Sequence, residues 1–224
     1  MKNRTATSFL HSNRIPGRWL LGLLVLPLVA FAQEWELNRD MLLAARRGDE
    51  AAVIKLLDGG ANLDSRNRLG DTALNMAAKN GNTALALKLV ERGADVNLRN
   101  LSGVSPLMSA SFNGDVPLAK ALLARGADLA PIDRVKKTAA VYAAANGHTG
   151  VLALLLDAGV GVNSRYDNEL TVLMWAAGYG KDETVRFLLA RGAATDARDN
   201  RGQTALDMAL AGGHQATAEL LRAR

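Results

Sequence analysis

Apolar residues recur along this chain at i, i+1, i+4 and i+5. Leu85 is followed by Leu89-Val90, Leu118 by Leu122-Leu123, and Val151-Leu152 by Leu155-Leu156. That spacing lays a broad apolar stripe along one side of a helix. A second kind of stretch precedes each of these and is rich in alanine: Ala77-Ala78, Ala110, Ala143-Ala144, Ala176-Ala177 and Ala209. Side chains that small let neighbouring helices approach closely. Each pair of stretches predicts two short helices joined by a turn.

The pattern is periodic. Glycine stands at Gly48, Gly81, Gly114, Gly147, Gly180 and Gly213, each 33 residues after the last. Gly60, Gly93, Gly126, Gly159 and Gly192 keep the same step, as do the hydroxyl residues Thr72, Ser105, Thr138, Thr171 and Thr204. Three residue classes on one period mark internal repeats. The hydroxyl starts the first helix by accepting free backbone N–H groups, and Pro106 suits a first helical turn. The mid-repeat glycine ends that helix and the later glycine ends the second. The residues between, such as 64–70, project sideways as a finger.

Six units follow: 37–67, 68–100, 101–133, 134–166, 167–199 and 200–224. The first has Arg39 in place of the hydroxyl and a polar first helix; the last has Arg222 where an apolar residue is expected. Polar outer faces suit terminal caps. No unit can bury its stripe alone, so the expectation is an all-α repeat solenoid, stacked at about 10 Å per layer. Its concave side should carry the fingers and first helices. Hydrophobic residues make up 49% of the chain but aromatics only 4%, so alanine and leucine must fill the core.

The start of the chain has a different composition. Lys2, Arg4, Arg14 and Arg18 precede an apolar run from Trp19 to Ala32, which ends Ala30-Phe31-Ala32 before Gln33. A basic start, a short apolar run and a small-x-small end read as a secretory signal peptide over 1–32. Gln33 to Glu36 is then a short lead-in, in which Trp35 either packs on the first helix or is unstructured. An uncleaved inner-membrane anchor is the alternative, although 14 apolar residues fall short of the ~20 that span a bilayer. Removing the four basic leader residues leaves 23 Lys+Arg against 22 Asp+Glu, a net charge of +1. The high pI of the whole chain therefore does not argue for nucleic acid. Cysteine is absent, which excludes disulfides, thiol nucleophiles and cysteine-ligated zinc.

The second unit carries the fullest motif: Gly70-Asp71-Thr72-Ala73-Leu74, Ala77-Ala78, Gly81, Leu89-Val90 and Gly93-Ala94-Asp95-Val96-Asn97. With its equivalents downstream, it resembles the ankyrin-repeat family from Leu37 to the end. The resemblance implies helix-turn-helix units with projecting β-hairpin fingers. With the leader, the chain resembles exported ankyrin-repeat proteins of Gram-negative bacteria, which places it in the periplasm. Two departures stand out. The family's histidine after Thr-Pro-Leu is replaced by Asn75, Met108, Val141, Met174 and Asp207, so its hydrogen bonds between repeats should be absent or altered. The finger glycine, present as Gly70, Gly103 and Gly202, is Lys136 and Glu169 in two repeats, whose fingers should differ in shape.

No catalytic constellation emerges. His148 and His214 follow mid-repeat glycines, where the family commonly has histidine, and His11 lies in the leader. The serines sit outside any Gly-x-Ser-x-Gly elbow, and the recurring Asp and Asn residues suit turns better than metal. No enzyme activity, cofactor or metal is expected.

The resemblance implies a protein partner bound by finger tips and the exposed end of the first helix. Carried onto this sequence, the residues expected to bind are Arg68, Asp71, Leu101, Val104, Phe112, Arg134, Val135, Lys137, Leu170 and Tyr179. Tyr142 and Trp175 are assigned to core stacking. Arg66, Arg68, Arg99, Arg134, Lys136, Lys137, Arg165, Arg198 and Arg201 make the fingers basic, unless Asp133, Asp167, Glu169 and Asp199 neutralise them. The expected function is non-catalytic protein binding by a monomer, without nucleic acid and without membrane once the leader is cleaved. The alternative is an inhibitor, immunity-type or accessory protein for a periplasmic or secreted enzyme. Exported relatives point that alternative towards peroxide defence.

Overall fold

The computed structural model describes the backbone of residues 19–223 and the side chains of residues 33–223. Twelve α-helices lie among them: α1 Trp19–Arg47, α2 Glu50–Asp58, α3 Ala73–Lys79, α4 Thr83–Glu91, α5 Pro106–Asn113, α6 Val116–Ala124, α7 Ala139–Asn146, α8 Thr149–Asp157, α9 Val172–Gly178, α10 Asp182–Ala190, α11 Ala205–Ala211 and α12 Gln215–Arg222. The basic start of the expected leader lies outside the described residues, as do the side chains of its apolar run. The lead-in is not a separate segment, because α1 runs through it, and Trp35 is helical and 70% exposed. Among the described residues no helix is long and apolar enough to cross a membrane.

The chain stacks as two helical layers. Odd-numbered helices pack in the series α1, α3, α5, α7, α9, α11, and α4, α6, α8, α10, α12 form the second series. Each odd helix also packs on the even helix that follows it. One continuous core results. Leu74, Leu107 and Leu173 fill it from the first helices, and Leu85, Leu89, Leu118, Leu122, Leu152 and Leu155 from the second. Ala77, Ala110, Ala143, Ala176 and Ala209 are fully buried where first helices meet. Their lack of bulk brings the layers together, as the alanine pattern requires.

The caps follow the period. Thr72, Ser105, Thr138, Thr171 and Thr204 each accept the backbone N–H three residues on, at 3.2–3.3 Å. Asp49, Asn82 and Asp115 do the same for second helices. The replaced histidine position behaves according to its occupant. Asn75 bonds within its own repeat, donating from Nδ2 to the Leu98 carbonyl at its far end at 2.9 Å while Oδ1 accepts from Thr72. Asp207 accepts only from its own Thr204. Met108 and Val141 are buried apolar residues, so packing replaces the polar link there.

The fingers follow a hairpin course without a strand ladder among the described residues. Each closes on backbone bonds across its turn, such as Asn67 N–H to Asp71 O with Gly70 N–H to Asn67 O, and Asp199 N–H to Gln203 O with Gly202 N–H to Asp199 O. An Asx side chain holds the turn from within: Asn67, Asn100, Asp133 and Asp199 each accept two backbone N–H groups through Oδ1. Neighbouring fingers are joined by Leu101 N–H to Leu69 O, Arg134 N–H to Ser102 O, and Asn200 N–H to Asn168 O. The two fingers lacking glycine diverge. Lys136 adopts the glycine's left-handed φ of 59° and preserves the turn. The next finger, with Tyr166 in the Asx place, forms a 3-10 turn with left-handed φ at both Asn168 and Glu169.

Candidate interaction surface

First helices and fingers together present one face. Along it Phe112, Tyr142, Lys137, Trp175 and Tyr179 form a row. The Phe112 and Tyr142 rings meet edge to face at 5.7 Å, and Trp175 and Tyr179 stack at 6.1 Å with 12° between planes. Lys137 joins the two pairs, with Nζ 5.5 Å from the Tyr142 ring centre and 5.0 Å from that of Trp175. Aromatic pairs and cation–π contacts of this geometry are each worth about 0.5–1.5 kcal/mol beyond burial. The row is therefore held in place before any partner arrives. Beside it a depression of about 380 Å³ is walled by Val104, Met108, Phe112 and Tyr142.

Tyr142 is anchored further. Its hydroxyl donates to Asp133 Oδ2, while Asp133 Oδ1 holds the finger turn through Val135 and Lys137 N–H groups. Burial pushes the phenol pKa well above its ordinary value, and the hydrogen bond and charge of Asp133 push it the same way. The phenol stays protonated and a donor throughout the ordinary pH range. Trp175 Nε1 is shielded and has no acceptor among the described residues.

The residues expected to bind divide by burial. Arg68 and Arg134 are exposed, as are Leu101 at 60%, Phe112 at 55%, Val135 at 66% and Tyr179 at 53%. Val104, Lys137 and Leu170 are half-buried. Asp71 departs from the expectation: it is buried, and it accepts from Asn100 Nδ2 of the next finger at 2.8 Å. Its carboxylate joins two fingers instead of facing a partner. Tyr142 and Trp175 do pack against the core, yet their rings also extend the surface row. The sequence signal was their shared repeat position, 33 residues apart, with Trp175 one helical turn before Tyr179.

The two described histidines are structural. His148 Nε2 lies 2.9 Å from the Phe112 carbonyl and His214 Nε2 3.1 Å from that of Gly178, each tying a repeat to the first helix of the one before. Among the described residues no group of three or more His, Asp or Glu side chains is placed to hold a metal ion.

Asp199 supplies a pH-dependent element. Burial raises its pKa, but hydrogen bonds from the Gln203 and Arg201 N–H groups and from the Arg201 guanidinium outweigh that and hold it below the usual carboxylate value. A depressed folded-state pKa adds stability that is present above the unfolded value near 4 and is lost as pH falls through the folded one. Asp199→Asn should therefore flatten the acid limb of the stability–pH curve below about pH 4, because Asn67 and Asn100 already hold the same turn uncharged. Chemical denaturation between pH 2 and 7 checks this; an unchanged acid limb would remove Asp199 from the account.

The ankyrin-repeat family model, described as ankyrin repeats in three copies, matches residues 41–133 and 140–224. The chain belongs to the ankyrin-repeat family. Among solved structures it is similar to "Crystal Structure of EF0377 an Ankyrin Repeat Protein", with a TM-score of 0.74 and 30% identity over 83% of this chain and 97% of that one. No match was found among curated proteins. Ankyrin repeats usually mediate protein–protein binding and are generally non-catalytic, and the face built by fingers and first helices is where this ankyrin-repeat chain exposes Phe112 and Tyr179.

Proposed function

We propose that this chain is a non-catalytic scaffold that docks a protein partner on its finger and first-helix face. We further propose that it works as a monomer in the periplasm, after cleavage between Ala32 and Gln33. The docking reading rests on the row Phe112–Tyr142–Lys137–Trp175–Tyr179. Exposed rings supported from behind by packed neighbours are the kind of anchor that dominates binding energy at protein interfaces. They lose little side-chain freedom on docking, because stacking already orders them. The export reading rests on the composition of residues 1–32.

The test is affinity capture from periplasmic extract with the full exported chain. Phe112→Ala combined with Tyr179→Ala removes two exposed rings and should reduce recovery of specific partners at least tenfold. Lys120→Ala, on the opposite layer, should leave it unchanged. Equal recovery by the aromatic variant would remove this face as the docking site. N-terminal sequencing of the exported protein should begin at Gln33.

A further inference from the structure

The basic residues of the fingers are not equivalent. Some are neutralised: Lys136 pairs with Asp167 at 3.0 Å, Arg165 with Glu169 at 3.5 Å, and Arg201 with Asp199 at 3.1 Å. Three arginines on successive fingers are not. Arg66, Arg99 and Arg134 are exposed, and none forms a salt bridge among the described residues. These three line one cleft of about 610 Å³. The same cleft holds two exposed apolar side chains, Leu101 at 60% exposure and Ile132 at 53%. Asp133, its one carboxylate, is committed to Tyr142 and the finger turn.

Three unpaired guanidinium groups around two exposed apolar side chains specify a ligand with both features. Arginine forks match carboxylates in a bidentate manner. A bare phosphate backbone would use the arginines but gain nothing from Leu101 and Ile132. The cleft also lacks an aromatic ring on which a base would stack. We propose that the cleft along the first three fingers receives an acidic segment of the protein partner, with carboxylates on Arg66, Arg99 and Arg134 and an apolar side chain against Leu101 and Ile132. This rests on the reading that the chain docks a protein, and it names the chemistry that the partner must carry.

The experiment uses the full exported chain and a labelled peptide, acetyl-Glu-Leu-Glu-Glu-Leu-Glu-amide, with the glutamine analogue as its neutral counterpart. Fluorescence anisotropy at low salt should show saturable binding of the glutamate peptide and at least tenfold weaker binding of the analogue. Arg99→Gln with Arg134→Gln should weaken the glutamate peptide at least tenfold while far-UV circular dichroism stays unchanged. Phe112→Ala with Tyr179→Ala should leave peptide binding intact, so failure of the cleft is separable from failure of the aromatic face. Inorganic phosphate and phosphatidylglycerol vesicles complete the series. Absent peptide binding, binding indifferent to the two arginines, or arginine-dependent binding of phosphate or vesicles but not of peptide would each overturn the proposal.

Discussion

Leu155→Ala should lower the stability of the stack by about 3–4 kcal/mol and broaden or split its unfolding transition. Leu155 is fully buried in α8. Truncating a core leucine loses the transfer energy of its methyl groups and leaves a cavity that the surroundings close only partly. The architecture adds a second consequence. Each repeat touches only its neighbours, so stability is a sum of repeat and interface terms. A weakened fourth repeat uncouples the three before it from the two after it. Hydrogen exchange should then show α7 to α10 losing protection before α3 to α6. Leu220→Ala, in the half-buried last helix, should cost about 1 kcal/mol and merely fray the end. A single sharp transition with uniform protection in Leu155→Ala would mean that the stack folds as one indivisible unit.

Much of this architecture was legible because each repeat solves the same problem with the same residues. The hydroxyl caps, the buried alanines and the leucine stripes all sit where the 33-residue period places them. What escaped depends on pairs of residues in different repeats. Asp71 occupies a position that is solvent-facing in outline, and only Asn100, 29 residues later, turns it inward as an acceptor. Lys136 and Glu169 both replace a glycine, yet one finger keeps its turn and the next does not. The difference lies three residues earlier, where Asp133 holds the turn by its side chain and Tyr166 has no equivalent oxygen near the backbone.

The candidate surface was legible in part for the same reason. Phe112 and Tyr179 stand out as bulky residues at helix ends, and both are exposed. Tyr142 and Trp175 look like core residues by position, and they do pack inward. Their surface role comes from Lys137, which stands between them and belongs to a finger. The unequal pairing of the arginines could not be foreseen either. Every finger has basic residues, but among the described residues only Lys136, Arg165 and Arg201 come within reach of an acid, and reach is a matter of side-chain geometry.

Gly114→Ala should destabilise the chain by about 2–3 kcal/mol, about 1 kcal/mol more than Gly126→Ala. Both glycines have left-handed φ, 72° and 76°. An alanine there costs about 1–2 kcal/mol through its Cβ alone. At Gly126 nothing lies within 4 Å of the added atom, so the cost stops there. At Gly114 the Cβ would overlap the His148 ring, and at Gly180 it would stand 2.5 Å from His214 Nδ1. The ring must then swing away from the Phe112 carbonyl that it meets at 2.9 Å, adding about 1 kcal/mol for the lost hydrogen bond. The two contributions separate in a double-mutant cycle. In a His148→Ala background the overlap is gone, and Gly114→Ala should cost no more than Gly126→Ala. An equal cost with and without the imidazole would show that the ring yields freely, and that the glycine is required for its backbone angle alone.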